Sequence, residues 1–275
     1  MRALWILAAK EVRDGLRNRW VAATILALAA LALLLALLGA APTGGVKASA
    51  LSVTVVSLSS LSVYLIPLIA LMLAYDAIVG ELERGTLLLL LSYPVARWQV
   101  VLGKFLGHVA ILAIAIVIGY GGAAVAVGLL AGADREGWLA MSALCGSSVL
   151  LGAVFVALGY CLSALCEERA KAAGFAIGLW LVVVVFYDLG LLGLLLLDDQ
   201  HAIGESLFAG LLLANPTDAY RIFNMTLFEG VSRMGGFAEL GAAAVPGAGV
   251  PLAVLGGWLL APLVAAVALV GRKEM

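Results

Sequence analysis

The sequence predicts an all-α integral membrane protein of six spans, and three observations carry that reading. Of its 275 residues, 64% are hydrophobic and 12% charged, against about half apolar and a quarter charged in soluble domains. Six apolar stretches, 20–39, 51–75, 100–130, 138–165, 172–197 and 250–270, match or exceed the roughly 20 residues of a membrane-crossing helix. Lysine and arginine fall unequally on the connections between them. The whole chain reads as a single transmembrane domain, residues 1–275.

Residues 1–19 form an amphipathic pattern. Leu4, Leu7, Ala8, Val12 and Gly15 or Leu16 recur at helical spacing, while Arg2, Lys10, Arg13, Arg17 and Arg19 fill the remainder. This predicts a helix lying in the interface, basic side toward anionic lipid. The next 18 residues, 21–38, carry no charge. They exceed the 7–15 of a signal-peptide apolar region, so this stretch reads as a retained span. Trp20, Trp98 and Trp138 stand at span ends, where amphipathic rings prefer to sit.

Counting basic residues sets the orientation. Arg2, Lys10, Arg13, Arg17, Arg19, Arg84, Arg97, Lys104, Arg169, Lys171, Arg272 and Lys273 fall on one side; Lys47, Arg135, Arg221 and Arg233 fall on the other. The excess places both termini in the cytoplasm. Cys145, Cys161 and Cys166 make no Cys-x-x-Cys and leave an odd count, so they read as small core residues. Neither the net charge of −1 nor any basic run suggests a nucleic-acid partner.

The connection at 81–107 is unlike a plain polar loop. Glu81, Glu83 and Arg84 precede a run of five leucines, Leu87, Leu88, Leu89, Leu90 and Leu91, and Arg97 and Lys104 follow. Gly85-Thr86 reads as a helix start with Thr86 as N-cap, and Pro94 as its end. A short leucine-rich helix at a membrane face needs a cover. Its own bundle, the headgroups or a soluble partner could supply one.

These residues also carry a resemblance. Glu-x-Glu-x-Gly-Thr-Leu from Glu81, Leu-Leu-Ser-Tyr-Pro-Val-Ala-Arg from Leu90 and Gly103-Lys104 resemble the signature of ABC-2 type permeases. The resemblance extends over nearly the whole chain. It implies a six-helix transmembrane domain like that of type V exporters, with an N-terminal elbow helix at 1–19 and a cytoplasmic coupling helix within 81–97. It also implies short external helices between spans five and six. In that family the coupling helix docks on a separate cytoplasmic ATPase, so Glu81, Glu83, Gly85, Thr86, Leu87 to Leu91, Pro94 and Arg97 are the expected docking residues. The chain departs from the family pattern at Leu88, where an acidic residue usually follows Gly-Thr-Leu; this implies a more apolar contact. Segments 94–104, 167–174 and 215–225, with the length, are similar to permeases of nitrous oxide reductase maturation systems. That narrower likeness implies a bacterial inner-membrane homodimer, two ATPase subunits that bind ATP and Mg, a periplasmic solenoid protein and a role in copper-centre assembly.

Asp188 is the acid set well inside a span. At 1.5 Å per residue it lies roughly 15 Å from the end near Leu197, a depth that Ser59, Tyr120 and Ser147 also reach. Intramembrane carboxylates are functional candidates by default; a structural acid held by those hydroxyls is the alternative, since no basic residue is expected at that depth. Lys104 and His108 share one face of the third span, too near the inner surface to meet Asp188. Hydroxyls crowd the second span (Ser49, Ser52, Thr54, Ser57, Ser59, Ser60, Ser62, Tyr64), and glycines the third and fifth. Close helix packing or a polar pathway would each account for them.

Segment 198–249 is too apolar for a plain loop. Asn215-Pro216-Thr217-Asp218 reads as a helix start, with Asn215 as N-cap and Asp218 capping back. Ala219, Ile222, Phe223, Thr226 and Leu227 would form an apolar stripe. Either a lid over the bundle or a landing surface for an external partner follows, the latter through Asn215, Pro216, Asp218, Arg221 and Phe223. His201, Met225 and Met234 lack metal-site spacing, so no metal and no cofactor is expected in this chain. Glycine spacing at 132–137 is followed by Trp138, so it is no phosphate-binding loop; His-Glu-x-x-His and nucleophile-elbow motifs are also missing. A non-catalytic permease subunit fits best. A generic exporter of lipid, drug or peptide, or a carrier working through Asp188, remain as alternatives, though the carrier would need symmetric halves.

Overall fold

The computed structural model describes residues 2–39, 50–132, 134–197, 204–227 and 247–273, all helices and their connections. Lys47, Ser49, His201, Arg233 and Met234, named above, lie outside these residues, as does the side chain of Leu91. Six stretches are long and apolar enough to cross a membrane: Arg19–Leu38, Leu51–Glu83, Arg97–Ala131, Arg135–Leu165, Arg169–Leu197 and Gly249–Arg272. They match the sequence reading to within a few residues at nearly every end.

Helix α1 (Arg2–Arg17) turns into the first span α2 (Arg19–Gly39) at Asn18, whose Oδ1 accepts from the Trp20 N–H. The apolar face of α1 meets protein rather than lipid. Leu7 and Ala8 are buried because Gly103 and Gly107 of the third span let α1 approach closely. A Cβ at Gly103 would fall 2.8 Å from Leu7 Cβ, and one at Gly107 would fall 2.5 Å from Glu11 Cβ. Trp5, Ile6 and Leu16 are large apolar residues left facing outward.

The second span is α3 (Ala50–Ala74); a turn then leads to α4 (Val79–Glu83) and α5 (Thr86–Leu91). Next come the two longest helices, α6 (Arg97–Ala131) and α7 (Arg135–Leu165), the latter capped where Asp134 Oδ1 accepts from Gly137 N–H at 3.1 Å. Helix α7 is the axis of the bundle and the most buried span. It packs tightly on α3 and α6 through small residues: a Cβ at Gly159 would lie 2.6 Å from Ala74 Cβ, and one at Gly152 would collide with Leu112. Small residues permit such approach where apolar burial gives no drive between helices.

The fifth span consists of α8 (Arg169–Trp180), a π-helical turn at Leu181–Phe186 and α9 (Tyr187–Leu197). Helices α10 (Glu205–Ala214) and α11 (Pro216–Leu227) precede the last span, α12 (Gly249–Arg272). Asn215 caps α11 as expected, its Oδ1 accepting from Thr217 N–H at 3.0 Å. Asp218 does not cap back; it pairs with Arg221. Nor is the inward stripe purely apolar: Thr217, Asp218, Ala219, Tyr220, Ile222 and Asn224 are all buried, while Leu227 is exposed. α11 lies inside the bundle, against α3, α7 and α12.

The α1–α6 contact gives a direct test. Gly103→Val would push into the Leu7 side chain and the Leu4 carbonyl, 3.0 Å from the new Cβ. Overpacking of this kind costs about 1–3 kcal/mol. Thermal unfolding in detergent should show a lower Tm, with limited proteolysis releasing α1 first; an unchanged Tm would refute the close-packed arrangement.

Candidate functional site

The site is the connection from Asp76 to Arg97, which lies on the same face as both chain ends. Backbone geometry sets its shape. Gly85 adopts the left-handed region at φ 69°, which glycine reaches without the Cβ penalty. The junction is therefore made by Gly85, and Thr86 is not the N-cap. Thr86 is the first helical residue, its hydroxyl donating back to the Glu81 carbonyl at 3.3 Å. At the other end, α5 stops at Leu91, before Pro94, and the Ser92 hydroxyl donates to the Leu89 carbonyl at 2.8 Å. Pro94 is exposed in the link, outside the first turn of α6, which begins at Arg97 with the Gln99 side chain accepting from Ala96 N–H.

The leucines divide by face. Leu87 is buried and Leu90 partly buried against the core, three residues apart and hence on one side of the helix. Leu88 and Leu89 point away, 51% and 68% exposed, beside an exposed Tyr93. A cleft of about 440 Å³ between α1 and this segment is lined by Leu7, Lys10, Glu81, Arg84, Leu89 and Tyr93 among others.

Polar contacts fasten the segment to the bundle. Ser163 Oγ of α7 accepts from both the Ile78 and Val79 N–H groups at 3.0 Å, satisfying the start of α4. Glu83 Oε1 accepts from the Arg169 N–H at 2.7 Å, and Arg169 Nη2 donates to Asp76 Oδ2 at 2.8 Å. Arg97 Nη1 donates to the carbonyls of Val270, Gly271 and Lys273 at 3.3, 2.9 and 2.9 Å, capping the end of the last span.

A further contact, largely covered, is ionic. Lys104 Nζ lies 2.8 Å from Glu11 Oε1 and 2.9 Å from Glu81 Oε1, with all three side chains nearly covered. Two carboxylates from two different helices thus share one ammonium on a third. His108, one turn along α6, puts Nε2 3.9 Å from Glu11 Oε2, and its Nδ1 shares a hydrogen bond of 2.8 Å with the Tyr160 hydroxyl. Burial opposes the charged form of Glu11, but the Lys104 ammonium outweighs it, with smaller help from His108 and Lys10, and holds the carboxyl below its ordinary pKa. Glu11 therefore adds stability above that ordinary value, lost as the pH falls through the lower folded-state one. The sequence places Lys104 and His108 on one face but does not single out Glu11 on the amphipathic first helix.

The intramembrane group assembles differently from expectation. Asp188 does have a basic partner, since Arg221 Nη1 donates to its Oδ2 at 2.7 Å and to Asp218 Oδ1 at 2.8 Å. The arginine arrives with the inserted α11, which no count along the spans could reveal. Ser147 and Tyr120 do not hold Asp188. Ser147 donates to Asn224 Oδ1 at 3.0 Å, and Tyr120 shares a hydrogen bond with Ser62 at 2.6 Å. Ser59 is buried on α3. The external-contact expectation is corrected too. Asn215, Pro216 and Asp218 are buried and Arg221 is turned onto the two aspartates, so they face the interior; Phe223 is half-buried. The inserted helix must hide its polar end within the bundle, where these residues satisfy one another.

Six spans, an inserted helix and a short leucine helix, preceded by an ion-paired turn of helix at one face, define a membrane transporter subunit. The chain belongs to the ABC-2 family of transporters: residues 5–275 match the family described as "ABC-2 family transporter protein". It is 47% identical over 276 residues, 99% of each chain, to "Probable ABC transporter permease protein NosY" of Stutzerimonas stutzeri. It is 49% identical over 237 residues, 86% of each, to the protein of the same name from Pseudomonas aeruginosa. The chain is thus a multi-pass permease of an ABC transporter.

Removing the shared cation tests the ionic contact. Lys104→Met leaves the covered Glu81 without its counter-charge and Glu11 with only the exposed Lys10 at 3.3 Å, which should destabilise the fold by about 3–5 kcal/mol. Lys104→Met combined with Glu11→Gln and Glu81→Gln should recover most of that loss, read as Tm in detergent. Equal damage in the single and triple variants would mean that packing, and not the charges, holds these helices together.

Proposed function

We propose that this chain docks a separate cytoplasmic ATPase through α5 and carries the movement driven by ATP hydrolysis into the membrane bundle. One observation carries the reading: Leu88 and Leu89 are exposed on a helix whose other face, through Leu87 and Leu90, is locked to the core. An exposed apolar pair beside Glu83, Arg84 and Tyr93 suits a protein groove better than water. The segment's ties to α1, α6, α7 and α8 would pass a push on α5 to most of the bundle at once. The basic-residue excess supports a cytoplasmic position for this face, with both termini there.

The family and the relatives' names support the rest. A symmetric homodimer with two ATPase subunits, which bind the ATP and Mg, follows from one docking helix per chain and from the prevalence of closed twofold assemblies. The chain itself is non-catalytic in this reading. The relatives' name and the sequence likeness favour a bacterial inner-membrane system for copper-centre assembly of nitrous oxide reductase, working with a periplasmic solenoid protein. An exporter of lipid or another apolar cargo is the second reading. It is favoured by a cleft of about 760 Å³ between α1, α2, α3 and α6, apolar along Leu28, Ile69 and Met72 and polar at Glu11, Asp14 and Asp76.

Docking is tested at Leu89. Leu89→Asp should leave expression and membrane insertion intact and abolish co-purification of the ATPase, because an unpaired charge in such an interface costs several kcal/mol. Leu88→Asp should act in the same direction. Leu87→Asp should instead damage the permease itself, since that side chain is buried. Survival of ATPase binding and coupled hydrolysis in both the Leu88 and Leu89 variants would remove α5 as the docking element. One permease per two ATPases by mass would exclude the homodimer.

A further inference from the structure

The junction of α9 and α11 holds more negative charge than its arginine balances. Asp188 and Asp218 both contact a single atom, Arg221 Nη1. Asp218 is buried, and its Oδ2 has no hydrogen-bond partner; the same holds for Asp188 Oδ1. Asp188 Oδ2 and Asp218 Oδ1 lie 2.7 and 2.8 Å from that one nitrogen, which brings the two carboxyls side by side. Two carboxylates this close repel one another, and a single proton between them would turn the repulsion into a hydrogen bond.

We propose that Asp188 and Asp218 form a proton-binding site, sharing one proton while Arg221 neutralises the remaining charge. With the proton the cluster is neutral and both orphan oxygens have a role. Without it one buried negative charge is uncompensated, and α11 is held less firmly to α9. Burial, and next the Asp188 carboxylate, push Asp218 up to about 7, a direction that agrees with the charge count.

Among the described side chains, the neighbouring elements place no further charge against the cluster. Tyr187 lies beside Asp188 on α9, its hydroxyl donating to the Leu211 carbonyl of α10 at 2.6 Å, and Tyr64 faces Arg221 from α3. From α7 the groups facing α11 are Ser147, Ser148 and Cys145, close to Asn224 and Tyr220. Along α12 the sole charged residue is Arg272, at its far end, and along α10 it is Glu205.

The site is placed where a proton would matter mechanically. Asp188 follows the π-helical turn Leu181–Phe186, a feature that often marks functional positions. Asn215 Nδ2, at the start of α11, donates to the Val183 carbonyl within that turn at 2.8 Å. Proton loss would therefore loosen α11 at the point where the fifth span is already irregular. This inference is independent of the docking reading.

The experiment follows Tm of the full-length chain in detergent between pH 8 and pH 6. A folded-state pKa raised above the unfolded value means that the folded form binds the extra proton, so stability rises as the pH falls through 7. The wild type should gain roughly 2–5 °C on acidification. Asp218→Asn, which mimics the protonated acid, should match or exceed the wild-type Tm at pH 8 and lose that gain. Asp188→Asn should do the same, while the double variant, leaving Arg221 with no counter-ion, should melt lower at both values. An unaltered pH gain in both single variants would overturn the proposal. So would a fall in Tm at both pH values in each, which would make them structural anions, or a rise in wild-type Tm with sodium or potassium at pH 8, which would make the ligand a metal cation.

Discussion

The face that carries the chain ends depends on one ammonium. Lys104 is covered, and it is tolerable there because Glu11 and Glu81 both reach it within 3 Å. Burying an unpaired charge costs several kcal/mol, so the three groups must stay together or the local structure must open. That requirement fixes α1 against α6 and sets the height of α4, from which α5 hangs. Glycines at 103 and 107 make the contact close enough. Two carboxylates on one lysine leave the group with net negative charge, and Glu81 Oε2 has no partner. Lys10 and Arg84 border the same polar pocket, so the cluster sits at the edge of solvent rather than in the apolar core.

A second polar assembly governs the other half of the bundle. Membrane proteins accept irregular backbone and polar side chains only where protein surrounds them. Helix α11 meets this condition by presenting Tyr220 to Ser148 and Asn224 to Ser147. Its first residues meet the fifth span, through Asn215 on Val183 and Arg221 on Asp188. The Ser147 and Ser148 hydroxyls of α7 are thereby used in packing.

Much of this was readable in the chain. Length and composition dictated the class, because a run of twenty apolar residues has few alternatives to a membrane helix. Ends of spans were legible to within about three residues, except that the second runs on to Glu83; the third starts at Arg97 because Gln99 caps α6 at Ala96, before the apolar run begins. The leucine helix was found from its flanking charges and glycine. What failed was reasoning about depth: Asp188 was assigned hydroxyl partners at its own level, whereas its partner came from a helix assumed to lie outside.

The sequence alone determined the number of spans, the short leucine helix with charged flanks, the cap at Asn215 and the ABC-2 resemblance. These are local properties: each depends on residues within a few turns of one another. Tertiary structure decided which leucines face out, that Glu11 completes the Lys104 pair from 93 residues away, and that Arg221 reaches Asp188. Such contacts depend on how helices far apart in the chain are brought together, and periodicity says which face a residue occupies but not which helix meets it.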